Sequence, residues 1–127
     1  MRGGNRIGTL RAAYSLFNGR DIAGLLALMT DDVEWPNVAD AAVLRGHAAV
    51  RRYWEGQFAV ANPEVTPVEF HEVGSDDIVV SVDQQVLDLS GAPIVPPKTV
   101  FHRYTFAGDL VRRMRVYGDR STALNDT

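Results

Sequence analysis

The apolar pattern of this chain changes period once, near Asn62-Pro63, and does not change back. Before that point apolar residues recur at helical spacing; after it they alternate. Ile7, Leu10, Ala13, Tyr14 and Phe17 predict an amphipathic helix over about Asn5 to Phe17, with residues 1–4 as a disordered start. Asn18-Gly19 is expected to close it, because both residues tolerate the left-handed conformation. Asp21 can cap a short second helix carrying Ile22, Leu25, Leu26, Leu28 and Met29. Thr30-Asp31-Asp32 is expected to break it, Val33-Glu34-Trp35 to form a short strand stopped by Pro36, and a polar gap to follow. Gly46 then opens a third helix, about His47 to Phe58, with Val50, Tyr53, Trp54, Gln57 and Phe58 on one side.

The period-two half begins with Val65, Pro67, Glu69 and His71 alternating with Thr66, Val68, Phe70 and Glu72. Strands are expected at about Ile78 to Leu89, Lys98 to Phe106 and Leu110 to Tyr117. They are separated by turns at Gly74 to Asp77, Ser90-Gly91 and Ala107 to Asp109. From Gly118 the chain reads as polar and loose. Three helices followed by hairpin-linked strands mean an α+β fold: helices packed on a strongly curved, antiparallel or mixed sheet, forming a cone with an internal pocket. The absence of βαβ alternation excludes a Rossmann arrangement. The prolines Pro93, Pro96 and Pro97 mark an edge or a bulge.

Size and charge narrow the function. The 127 residues fit one domain, with a core over about residues 6–119. There is no cysteine, which rules out disulfides and thiolate chemistry, and a formal charge of −3 argues against a nucleic-acid partner. No apolar run approaches the ~18 residues that span a bilayer, and the N-terminus carries no apolar leader region, so a cytoplasmic protein without membrane contact is expected. Lys98 is the only lysine, beside Pro96-Pro97, where a solvated surface role is expected. No phosphate-cradling glycine motif occurs, and His47, His71 and His102 lack metal-ligand spacing. No cofactor and no metal are expected.

The strand around residue 80 has two faces. One carries Ile78, Val80, Val82, Gln84 and Val86; the other carries Val79, Ser81, Asp83, Gln85 and Leu87. The second is polar for a long strand, so it either meets solvent or lines a pocket. A hairpin without a bulge sets residues 79 and 102 opposite each other, which puts Val100, His102 and Tyr104 with Asp83 and Gln85. A bulge at the prolines flips that face. On this register His102 is the leading catalytic candidate, with Asp83 orienting its imidazole for acid/base work. The competing reading is a hydrogen-bonded interior histidine. Tyr14, Trp35, Asn37, Tyr53, Trp54, Gln85, Tyr104 and Met114 are the candidate substrate-binding residues; for the aromatics the alternative is plain core filling. The apolar Val80, Val82 and Val86 then face away from the cone and predict a homodimer.

The order NGRDIAGLLALMTDDVEWPN, a polar gap, LRGHAAVRRYW and then hairpin strands resembles the SnoaL-like branch of the nuclear transport factor 2-like superfamily, which includes ketosteroid isomerases and limonene-epoxide hydrolases. The resemblance implies a cone fold and a homodimer formed by back-to-back sheets. It also implies a pocket for a small apolar carbonyl or epoxide compound, used by an isomerase, cyclase or hydrolase, or by a non-catalytic binding or dimerisation module. Against the isomerases, Trp35 occupies the place of the general base, Tyr14 lies one residue off the oxyanion-hole tyrosine, and His102 replaces the strand aspartate. Against the epoxide hydrolases, Trp35-Pro36-Asn37 is similar to the water-holding segment and Asp83 matches one carboxylate. Ser81 and Val116 stand where the arginine and second aspartate belong. His102-x-Tyr104-x-Phe106 with Gly108-Asp109 is most similar to the polyketide-cyclase branch.

Overall fold

The computed structural model describes residues 2–38 and 40–126. Helix α1 spans Arg2–Asn18, α2 Ile22–Ala27 and α3 His47–Val60; the strands are β1 Met29–Asn37, β2 Ala42–Arg45, β3 Asn62–Val73, β4 Asp77–Leu87, β5 Pro93–Ala107 and β6 Leu110–Tyr117; a last helix, α4, spans Arg120–Asn125. The strands form one mixed sheet in the order β2-β1-β6-β5-β4-β3, antiparallel except for the parallel pair β1/β6. The sheet bulges within β3, β5 and β6, and wraps around α1, α2 and α3 as an open cone. This is the expected α+β cone, with one more helix.

The core lies between the helices and the concave face. Leu10 and Tyr14 from α1, Leu25 and Leu26 from α2, and Val50 and Trp54 from α3 meet Val33, Val80, Val82, Val100, Tyr104, Phe106, Val111 and Met114. Trp54 is 1% exposed and Val80 and Val82 are fully buried. Burying such side chains stabilises the fold by about 1.5–3 kcal/mol each. The face carrying Val80 and Val82 is therefore the inner face, not the surplus apolar face expected to support a dimer.

Local caps act as expected at two helices. The Asp21 carboxylate accepts from the Gly24 amide at 2.9 Å and starts α2. Gly46, at φ 85°, turns the chain into α3 with a backbone other residues adopt only under strain. The end of α1 differs. It is Arg20, not Asn18 or Gly19, that takes the left-handed conformation, at φ 63°. Asn18 instead ties α1 to β3: its amide donates to the Val65 carbonyl at 2.7 Å and its oxygen accepts from the Val65 amide at 3.0 Å. The helix also begins earlier than expected, at Arg2, so residues 2–4 are not a disordered start; Met1 lies outside the described residues.

Four more expectations are corrected. The second helix ends at Ala27, before Thr30-Asp31-Asp32, which lie inside β1, a strand that starts at Met29 opposite Val111. Pro36 does not stop β1; it pairs with Val43 beyond the last recorded β6 partner at Glu34, where the missing N–H leaves no neighbour unsatisfied. The polar gap contains a strand, β2, antiparallel to the end of β1. The tail folds into α4, because the Asp119 carboxylate caps the Thr122 amide at 2.9 Å and Arg103 donates to the Ala123 carbonyl at 2.9 Å. Among the described residues, no helix is long and apolar enough to cross a membrane.

Candidate functional site

The register of β4 on β5 decides what the cone contains. Val80 stands opposite His102, Val82 opposite Val100, and Gln84 opposite Lys98. Leu87 stands opposite Pro93, one residue off the register of a two-residue turn, and the two one-residue bulges between Gln84 and Leu87 leave the faces as that turn sets them. His102 and Tyr104 therefore share the face of Val80 and Val82, not that of Asp83. Asp83 points to the other side of the sheet, is exposed, and accepts from the Thr99 hydroxyl at 2.9 Å. The expected His102–Asp83 pair is not formed.

A cavity of about 270 Å³ opens between the helices and the sheet, near the lower end of the range of small-molecule sites (~300–1,000 Å³). Its walls are aromatic and aliphatic. Trp35 from β1 meets Trp54 from α3 edge to face, with centroids 5.2 Å apart at 81°, and Tyr53 and Met114 complete these walls. On its floor Tyr14, His102 and Tyr104 converge. The Tyr14 hydroxyl lies 2.8 Å from Nδ1 of His102, and Tyr104 donates to the Tyr14 hydroxyl at 2.9 Å. Since Tyr104 donates to Tyr14, the Tyr14 proton is directed at Nδ1; this assignment uses every proton of the network and places the imidazole hydrogen on Nε2. Nε2 has no protein partner among the described residues, and the ring lines the cavity.

Burial sets the charge of this floor. Removal from water pushes His102 down to about 4, so the ring is neutral at physiological pH. Burial, the charge of Tyr104 and the hydrogen bond with Tyr104 together raise Tyr14 well above the usual phenol range. Burial likewise raises Tyr104. The floor is thus three neutral hydrogen-bonding groups in an apolar box. Such an arrangement can hold an oxygen atom and stabilise negative charge that grows on it.

The remaining sequence candidates divide. Gln85 reaches the cavity rim and donates to a Glu64 carboxylate oxygen at 2.8 Å. Asn37 does not line the cavity: its side chain bonds Asp40 in the β1–β2 connection, at 3.1 Å to the carboxylate and 3.3 Å from the amide. The structure adds Gln84 and Lys98, which line the mouth. Their face depends on the hairpin register, which alternation alone does not fix.

Solved structures share this architecture. TerC, co-crystallized with polyporic acid, is 28% identical, with 91% of this chain and 92% of that chain covered and a TM-score of 0.77. A Mycobacterium tuberculosis protein in complex with estradiol-17beta-hemisuccinate is 21% identical, with 92% and 95% covered and a TM-score of 0.76. A putative polyketide cyclase from Xanthomonas campestris pv. campestris is 13% identical, with 98% and 97% covered and a TM-score of 0.81. The last two show the fold alone. No curated protein matches in sequence. The model of the SnoaL-like domain matches residues 10–114, from α1 through β6, the stretch that builds both the cone and its floor, and the chain belongs to that family.

Proposed function

We propose that this protein is an acid/base enzyme of the SnoaL-like type, acting on a small, largely apolar compound with a carbonyl or epoxide oxygen. The single observation that carries the reading is the Tyr104–Tyr14–His102 network on the floor of an otherwise apolar cavity. The Nε2–H of His102 is the donor offered to the ligand oxygen. Tyr14 holds the imidazole in the tautomer that makes Nε2 a donor, and Tyr104 holds Tyr14. A neutral imidazole is a good partner for an oxygen that becomes negative as a proton passes from the neighbouring carbon to Glu64, the one carboxylate lining the cavity among the described residues, and returns from it to the product, since no buried cation has to be created beforehand. Isomerisation, or ring closure next to a carbonyl, is the reaction class this serves. His102 therefore acts here as an electrophilic donor held by Tyr14, rather than as a base held by Asp83.

The ligands crystallised with two relatives, polyporic acid and estradiol-17beta-hemisuccinate, are the natural first probes. Polyketide-type and quinone carbonyl compounds would follow, scored by time-dependent absorbance change. On a confirmed substrate, His102→Gln is expected to lower kcat by about 10²–10³, as for loss of one oxyanion donor. Full turnover by that variant would overturn the role of His102.

One observation favours a second reading, a non-catalytic ligand-binding module: the floor holds no carboxylate, because Asp83 lies on the other face. That reading requires ligand-induced stabilisation with no conversion of any ligand. The resemblance also supports a homodimer, which sedimentation equilibrium at micromolar concentration tests.

A further inference from the structure

The concave face of β4 and β5 is polar at both ends and apolar between them. Three successive cross-strand pairs line up along it: Val80 with His102, Val82 with Val100, and Gln84 with Lys98. At ~3.3 Å per residue, the Lys98 backbone stands about 13 Å from that of His102. The floor network thus faces, across an aliphatic and aromatic middle, a mouth lined by Gln57, Gln84 and Lys98.

These mouth groups are unemployed within the protein. Among the described residues, the side chains of Gln57 and Gln84 have no hydrogen-bond partner, and Lys98 is in no ion pair. The one carboxylate that lines the cavity, Glu64, is already engaged. It accepts from Gln85 at 2.8 Å, and Arg20, which donates to the neighbouring Pro63 carbonyl at 2.7 Å, acts on its charge. Glu64 keeps its negative charge, held by a neutral donor, while Lys98 is the one cationic side chain lining the cavity among the described residues, and it is flanked by two carboxamides able to donate.

We propose that Lys98, with Gln57 and Gln84, is a receptor for an anionic oxygen group, and that it selects ligands carrying a carboxylate, phenolate or enolate at the end remote from His102. The inference rests on the proposed reading that the ligand places a neutral oxygen at His102. It adds that the substrate is bifunctional: a neutral oxygen at one end, an apolar ring body, an anionic oxygen at the other. Lys98 is then a specificity-determining residue whose chemistry is charge recognition. It makes no contact with the reacting centre.

The test uses two probes of one shape, 6-hydroxy-2-naphthoate and its methyl ester, with binding followed by ligand fluorescence. The unmodified protein is expected to bind the carboxylate about five- to tenfold more tightly than the ester, as a charge-assisted contact at a partly open site allows. Lys98→Met is expected to abolish that preference and Lys98→Arg to keep it, and the preference is expected to shrink as salt is raised. The Lys98 side chain is exposed and unbonded, so an unchanged unfolding midpoint confirms that these variants fold. His102→Gln is expected to weaken both probes alike. If both probes bind and Lys98→Met leaves their ratio unchanged, the anion receptor is overturned while the pocket reading stands. If neither probe binds the unmodified protein at millimolar concentration, the pocket reading and the receptor fall together.

Discussion

The Tyr14 hydroxyl and Nδ1 of His102 lie 2.8 Å apart although 88 residues separate them in the chain. One belongs to the first helix and the other to the fifth strand, so the contact exists only once α1 has docked into the cone. Their rings are nearly parallel, with centroids 5.9 Å apart at 14°. The tautomer of the imidazole at this contact decides what the cavity presents to a ligand.

Tyr14→Phe leaves the ring in place and removes the proton that Nδ1 receives. It also takes from Tyr104 its nearer acceptor, leaving the long 3.5 Å contact with Nδ1 of His102. Both groups are buried and keep only that long contact with each other, so the variant is expected to lose about 1–3 kcal/mol in urea-induced unfolding. Nitrogen-15 spectra of the histidine are expected to show hydrogen on Nε2 in the unmodified protein and a rising share on Nδ1 in the variant. A spectrum with hydrogen on Nδ1 in the unmodified protein would reverse the proposed polarity of the network.

The low pKa of His102 makes stability depend on pH in a defined direction. An unfolded chain protonates this residue below about 6.5, whereas the folded protein resists protonation until about 4. Between those values the unfolded state binds more protons, so stability falls as pH falls. Acidification from pH 7 to pH 4 is expected to remove about 3 kcal/mol through this residue. Replacing His102 with Gln should flatten that part of the profile, measured by denaturant unfolding at a series of pH values. An identical slope in the variant would mean that other groups carry it.

Arg103 fastens the last helix to the outer face of the sheet. It is buried, its Nε lies 2.7 Å from an Asp77 carboxylate oxygen, and its Nη1 donates to the carbonyls of Ala123 and Leu124 at 2.9 and 3.3 Å. Arg103→Met leaves Asp77 with only the looser Arg115 contact at 3.7 Å and the end of α4 without a donor. Because it breaks a buried pair, the substitution is expected to cost about 3 kcal/mol. Hydrogen exchange over residues 120–125 should accelerate by more than in β4. A cost below about 1 kcal/mol would show that α4 holds without it.

Several parts of the site were legible in the chain. The spacing of Tyr14 on an amphipathic helix, the Val33-Glu34-Trp35-Pro36 segment and the Tyr53-Trp54 pair all led to cavity or core positions, and all four aromatics line the cavity. The Asp119 cap of α4 was also available, since an Asp followed three residues later by Thr marks a helix start, but the polar composition of the segment hid it. Arg6 was not legible. Its guanidinium donates to the carbonyls of Ser75 and Gly108, joining two turns distant in sequence, and nothing near residue 6 signals either of them.

The sequence by itself determined that α1, α2 and α3 form, where α2 and α3 start and that the strands alternate, because these depend on side chains a few residues apart. It could not determine which face of β5 looks inward. Alternation has a period of two, so a one-residue change in the hairpin turn exchanges the faces; the turn sets Leu87 opposite Pro93, and the two one-residue bulges between Gln84 and Leu87 cancel in parity. That register belongs to the paired strands and not to the alternation of either one. It is what parted His102 from Asp83, joined it to Tyr14 and set Lys98 at the mouth.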